Sequence, residues 1–310
     1  MIRLNRVCKS YGKTEILKDI TLQVEDCSIY GLIGYNGAGK TTLLNIVSGL
    51  YRPTGGEVLL DVGEDLRDPF DDPLAKRSLF YVTDDPYYFH GANLVTMRDF
   101  YKGFYPNWSD NSFSELVKLF GLDPVKRIGD FSKGMKRQAA MIMGLASRPR
   151  YLLLDESFDG LDPNVRTVVS NLLAEYIAET DSTVVAASHN LYELENLCDT
   201  VGMLNGKQLL YSKPIEDVKG RVKKYRVAVK KYRVAVNTEK DPLAGLAVKF
   251  PRKEGNIYTF QSEEPEEKLR DAFGKAGELL LFEAYGMTLN EIFIYETKEE
   301  DNEIEGIFAK

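Results

Sequence analysis

The stretch Gly34-Tyr35-Asn36-Gly37-Ala38-Gly39-Lys40-Thr41-Thr42 follows an apolar run, Ile29 to Ile33, and precedes a helical pattern of Leu43, Leu44, Ile46 and Val47. That order fixes a local fold: a buried strand, a tight glycine turn, and a helix that starts at the turn. The glycines let successive backbone N–H groups turn inward around an anion without Cβ clashes. The helix points the positive end of its dipole at the same place. Lys40 supplies a point charge for β- and γ-phosphates. Thr41 sets a hydroxyl where Mg²⁺ takes an oxygen ligand, and Thr42 reinforces the α- or β-phosphate contacts. With Asn36, Gly37 and Gly39 these residues form a predicted phosphate-binding loop.

A chain of 310 residues has room for one large and one small domain, either able to bury a core. A net charge of −7 argues against a generally basic nucleic-acid surface, so no nucleic-acid partner is expected, but it leaves a local nucleotide site unaffected. The 3 cysteines, Cys8, Cys27 and Cys198, lie far apart with no Cys-x2-Cys pair. That argues against a disulfide framework or a zinc site and points to a reducing cytoplasm. There is no run of about eighteen apolar residues, and the segment after Met1 lacks the apolar region of a signal peptide. The expectation is a soluble chain whose membrane role, if any, needs a partner.

Residues 1–30 alternate apolar and polar around a turn at Tyr11-Gly12-Lys13, which predicts antiparallel strands ahead of the loop. Short apolar runs at Leu79 to Val82, Tyr151 to Leu154, Thr183 to Ala187 and Thr200 to Leu204 predict a mostly parallel sheet covered on both faces. Ligands in such a fold gather at the strand C-termini. Between Asn93 and Arg148 the period is helical, as in Phe113, Leu116, Val117 and Phe120. A second region begins near residue 215 and carries the perfect repeat Lys-Lys-Tyr-Arg-Val-Ala-Val at 223–229 and 230–236. Seven is odd, so one unbroken strand would turn the second copy to the opposite face, unless a bulge or turn at Lys230-Lys231 intervened. A recent duplication and a functional repeat are both open. Strands at Asn256 to Phe260 and Glu278 to Phe282, with helices at Glu264 to Gly274 and Leu289 to Glu296, give a small α+β unit.

Tyr151-Leu152-Leu153-Leu154-Asp155-Glu156 is a buried strand ending in two carboxylates, which can place one on Mg²⁺ and the next against a water. Before it lies Phe131-Ser132-Lys133-Gly134-Met135-Lys136-Arg137-Gln138, whose bland reading is a turn with Ser132 as a helix N-cap. Together with the phosphate loop, and in this order, the segment resembles the signature of ABC-family ATPases. Its commonest form is Leu-Ser-Gly-Gly-Gln, from which Lys133 and Met135 depart. The resemblance covers residues 1–215. It implies an α/β P-loop NTPase fold of ABC type, with a mostly parallel sheet core, antiparallel N-terminal strands and a helical subdomain at about 86–147. A small accessory α+β domain at 216–298 and an acidic tail at 299–310 would follow.

The resemblance assigns further positions. Tyr11 would stack on adenine, Asp155 would hold Mg²⁺, Glu156 would polarise the attacking water, and His189 would contact the γ-phosphate. Ser132 and Gly134 would complete the phosphate site of a second subunit, and Asp162 falls in the loop that communicates between paired subunits. Where the family usually has Gln, this chain has Thr83-Asp84-Asp85-Pro86. Asp84 matches best, and it keeps a metal-binding oxygen while adding charge beside the γ-phosphate, implying slower hydrolysis or stronger dependence on Mg²⁺ and partner.

As cofactors the resemblance implies ATP and Mg²⁺. The implied partners are an integral-membrane permease subunit and a second ATPase, in a homodimer or a heterodimer with a related chain, and the implied place is the cytoplasmic face of the bacterial cell membrane. The aromatic-rich segment from Pro86 to Tyr105 is either the permease docking surface or a local aromatic core. The single-ATPase format with a short extension is similar to exporters of the bacitracin-resistance type, implying export of peptide, antibiotic or toxin. The other class open is a non-transport regulatory ABC ATPase, which would usually bring coiled coils, zinc modules or two cassettes. The C-terminal region reads as a dimer-stabilising or regulatory appendage, or as a solvated charged surface.

Overall fold

The computed structural model describes residues 1–63, 65–230 and 241–297. The second copy of the repeat, from Lys231 on, and the acidic tail at 299–310 lie outside the described residues. The chain divides into two compact units, Met1–Lys213 and the unit that starts at Pro214.

The first unit begins with β1 (Ile2–Tyr11), β2 (Thr14–Val24), β3 (Ile29–Gly34) and α1 (Lys40–Val47). β4 (Gly55–Val62), β5 (Asp65–Arg67), α2 (Pro73–Ser78) and β6 (Leu79–Val82) come next. The helical stretch supplies α3 (Leu94–Lys102), α4 (Asp110–Phe120) and α5 (Lys133–Ser147). The unit closes with β7 (Tyr151–Asp155), α6 (Pro163–Thr180), β8 (Thr183–Ala187), α7 (Leu191–Leu197), β9 (Thr200–Asn205) and β10 (Gln208–Pro214), whose last residue falls at the boundary.

Two sheets result. One is antiparallel in the order β2-β1-β4-β5. The other runs β10-β9-β3-β8-β7-β6 and is parallel from β9 to β6. Every residue of β3, β7 and β8 is buried, as central strands covered on both faces require. The core lies between the sheets, where Leu43, Leu44, Ile46 and Val47 of α1 meet Ile2, Leu4, Ile20 and Leu60 on one side and Leu32, Leu153 and Val185 on the other. Burying each such aliphatic side chain contributes about 1.5–3 kcal/mol, so α1 is held by its packing more than by its eight-residue length.

Register decides where the chemistry goes. Val82 pairs with Leu154, Asp155 with Ala187, and Leu32 with Ala187. The C-terminal ends of β6, β7, β8 and β3 therefore lie side by side, and each runs into a loop named in the sequence analysis.

The accessory unit carries α8 (Ile215–Arg221), β11 (Lys223–Lys230), β12 (Val248–Glu254), β13 (Ile257–Ser262), α9 (Glu266–Ala276), β14 (Glu278–Gly286) and α10 (Leu289–Thr297). Its antiparallel sheet has the order β12-β13-β11-β14. Tyr225, Val227 and Val229 point into a core with Tyr258, Phe260, Leu269 and Phe273, so the first copy of the repeat is an ordinary amphipathic strand. Phe260 stacks between Tyr225 at 5.5 Å and Phe273 at 5.7 Å. The register shift of β11 against β14 falls between Ala228 and Val229, two residues before the predicted break. β12 has no counterpart in the sequence reading because Pro251 interrupts it, and it is tolerated on an edge strand, where the missing donor disturbs least.

Candidate active site

The loop from Tyr35 to Gly39 turns through Ala38 N–H donating to the Tyr35 carbonyl at 3.0 Å, and α1 starts at Lys40. Gly39 is its N-cap, with φ 103° and no side-chain cap hydrogen bond, so the first-turn N–H groups remain available to an anion. A Cβ at Gly39 would stand 2.7 Å from Leu17 Cδ2 in a left-handed conformation, and this position is closed to other residues twice over.

Tyr11, Asn36, Gly37, Gly39, Lys40, Thr41, Thr42, Asp84, Glu156 and His189 line one cavity of about 560 Å³, joined by Ile16, Lys133 and Asp159. Ser132 and Gly134 are not among its walls. Ser132 caps α5, its hydroxyl accepting from Met135 N–H at 3.2 Å, and Gly134 packs so closely that a Cβ would lie 2.8 Å from the Gly160 carbonyl oxygen. Within one chain it is Lys133, the departure from the usual signature glycine, that reaches the cavity.

Lys40 is buried, and its ammonium donates to the carbonyls of Gly34 at 2.8 Å and Tyr35 at 3.4 Å. It lies 3.5 Å from Glu156 Oε1. The other oxygen of Glu156 accepts from His189 backbone N–H at 3.2 Å and sits 2.7 Å from its Nδ1. Glu156 is held at φ 47°, a left-handed conformation uncommon for a non-glycine residue, by its own N–H donating to the Ala187 carbonyl at 2.9 Å. The side-chain donors of Glu156, Asp159 and His189 all lie within 4.8 Å of one another.

Asp155 is fully buried at the end of β7. Tyr81 of β6 donates its hydroxyl to Asp155 Oδ2 at 3.1 Å, while Oδ1 has no partner of hydrogen-bond geometry. Burial raises the Asp155 pKa. The hydroxyls of Thr41 and Tyr81 oppose that shift, and the charges of Glu156 and Asp84 add to it. Burial and the Asp155 charge drive the Tyr81 hydroxyl upward, so it stays a donor. An orphaned carboxylate oxygen beside a threonine hydroxyl is a hard-oxygen donor set, and Mg²⁺ fits it.

Three supporting residues escaped the sequence reading. Tyr81 is one. Glu193 of α7 is another: it accepts from Asn190 Nδ2 at 2.8 Å and pairs with Arg166 at 2.7 Å, fixing the loop that carries His189. Arg137 is the third and pairs with Asp84. The pairings of Tyr81 with Asp155, Glu193 with Arg166 and Arg137 with Asp84 each span 27 positions or more.

Tyr11 stands at the rim, half-exposed, edge-on to Tyr51 at 6.2 Å, with Lys9 Nζ 5.3 Å over its ring. In the helical stretch the aromatics divide. Tyr88 and Tyr105 tie inward, to the carbonyls of Lys136 at 2.6 Å and Leu79 at 3.0 Å, whereas Tyr87, Phe89, Phe100 and Phe104 are exposed. The exposed four form a chain of ring contacts from 4.8 to 6.2 Å. No helix among the described residues is long and apolar enough to cross a membrane.

The family described as ABC transporter matches residues 17–159. The chain is similar to the ABC transporter ATP-binding protein YtrB of Bacillus subtilis, 28% identical over 74% of this chain and 77% of that one. It is also similar to the bacitracin transport ATP-binding protein BcrA of Bacillus licheniformis, 30% identical over 73% of each. Among solved structures, an ATP-binding subunit of an ABC transporter superposes with a TM-score of 0.65 at 22% identity, covering 71% of this chain and 92% of that one, a likeness of fold. With the phosphate loop, the carboxylate-ended β7 and the matched family in agreement, the chain belongs to the ABC transporter ATP-binding subunits, ATPases that power transport through a separate membrane component.

Proposed function

We propose that two such chains, identical or closely related, clamp ATP between the phosphate loop of one and the Ser132–Gly134 segment of the other. The closure drives export of a peptide, antibiotic or toxin through a permease. The convergence of Lys40, Glu156 and His189 at the ends of β3, β7 and β8 carries this reading. Backbone N–H groups at the start of α1 and the Lys40 ammonium neutralise the phosphates, Tyr11 at the rim offers a ring to the base, and Asn36 and Thr42 complete the walls. Thr41 and Asp155 would hold Mg²⁺, with Asp84 nearby, and the ion would neutralise charge on the β- and γ-phosphate oxygens. Glu156 is placed to accept a proton from water, and His189 keeps its carboxylate in place.

ATP drives closure only by binding the closed pair more tightly than the open one, and cleavage must remove that difference for the pair to reopen. The exposed rings Tyr87, Phe89, Phe100 and Phe104 suit a docking surface for cytoplasmic helices of the permease, which would place the chain on the cytoplasmic face of the membrane. The accessory unit is read as a dimer-stabilising or regulatory appendage. A bacitracin-like cargo rests on the similarity to the bacitracin transport protein, and export as the direction rests on the single-ATPase format with a short C-terminal extension. Purifying the chain with its membrane subunit and following ATP-dependent uptake of bacitracin-like peptides into inside-out vesicles tests it. Peptide accumulation in the vesicles supports export, and ATP-dependent loss of preloaded peptide from them refutes it.

A further inference from the structure

Arg137 heads the fully buried side chains by volume, at 2% exposure, on α5 five residues past Ser132. An arginine cannot shed its proton to ease burial, so it stays inside only where acceptors meet it. Two loops supply them. One terminal nitrogen donates to the Asp159 carbonyl, and the other donates to the Asp84 carboxylate and approaches the Asp84 carbonyl at 3.4 Å. Arg137 Nε has no partner, so the charge leans on this one carboxylate.

Asp84 is the other half. Its side chain is 55% exposed and lines the cavity that holds Lys40, Thr41 and Glu156. A carboxylate there repels phosphates, and the cation that offsets it comes from behind, out of the helix whose N-cap is Ser132. We propose that Arg137 is a positioning residue for the ATPase reaction: it pairs with Asp84, offsetting that charge beside the terminal phosphates, and ties α5 to the loops after β6 and β7. This rests on the reading of the cavity as the ATP site.

Equilibrium binding of a fluorescent ATP analogue in EDTA tests it, since chelation removes any metal contact of Asp84. Arg137→Gln unmasks the carboxylate and is expected to weaken binding by about tenfold. Arg137→Gln with Asp84→Asn should recover to within about threefold of wild type, a rescue that a merely structural arginine would not show. Wild-type affinity in Arg137→Gln, or a double variant as weak as the single one, overturns the proposal. Should thermal melting show that Arg137→Gln does not fold, Asp84→Asn alone is decisive. With Arg137 left uncompensated it should bind about threefold more tightly, and unchanged affinity overturns the proposal. Lys40→Ala is the control: if it binds as wild type does, the ATP-site reading has failed, whereas if it loses binding while the Arg137 series stays flat, only this inference has failed.

Discussion

His189 Nδ1 lies 2.7 Å from Glu156 Oε2, and the pair joins the ends of two adjacent parallel strands. The imidazole gives the carboxylate a fixed direction, and the Lys40 ammonium stands 3.5 Å from its other oxygen.

Glu156→Gln should keep ATP binding and slow hydrolysis by about 10²–10⁴-fold, leaving a nucleotide-loaded dimer visible by light scattering. Hydrolysis at the wild-type rate would remove Glu156 from the mechanism.

Lys40→Ala removes a buried ammonium that nothing else in the loop replaces. ATP affinity should fall by about 1.5–3 kcal/mol in titration calorimetry, the worth of a charge-assisted hydrogen bond.

Asp155 carries a prediction with a sign. Its folded pKa is raised by burial while the unfolded chain titrates at the ordinary value, so between the two the folded state holds more protons. Stability therefore falls as pH climbs from the usual aspartate range through the raised pKa. Asp155→Asn should lack that fall and melt higher at neutral pH, by about 2–4 °C for each kcal/mol relieved, while losing ATPase activity. A variant that melts lower than wild type across the whole range would contradict this.

Gly134→Ala drives a methyl group against the Gly160 carbonyl oxygen, 2.8 Å away and part of the backbone, so neither side can yield cheaply. A cost of about 1–3 kcal/mol in urea unfolding is expected, together with reduced turnover. Full stability would mean that the start of α5 and the loop carrying Gly160 separate freely.

Phe89→Ser and Phe104→Ser alter exposed rings and should leave the melting temperature and the ATPase activity of the isolated chain within error. Copurification of the membrane subunit is the measurement, and its retention at wild-type yield argues for another docking surface.

The parts of this molecule that sequence revealed are those written locally. The phosphate loop, the apolar strands and the carboxylates after Leu154 each depend on neighbours a few residues away, and parallel pairing then brought them to one edge. The pairing of Arg137 with Asp84 spans 53 positions, and no period or motif marks it. For the same reason Tyr81 looked like one more apolar-run residue until β6 lay beside β7. β12 was hidden by Pro251, which argues against a central strand but not against an edge. The aromatic segment was ambiguous because composition counts rings without saying which way they face: Tyr88 and Tyr105 tie inward, while Tyr87, Phe89, Phe100 and Phe104 are exposed.

The left-handed backbone of Glu156 sets a limit on how this protein can be improved. A glycine or asparagine would sit there at lower cost, so a screen for heat resistance alone is drawn to replace the residue that the proposed mechanism assigns to the attacking water. Directed evolution of a tougher variant should therefore score nucleotide cleavage at every round, or its winners will be durable and inert.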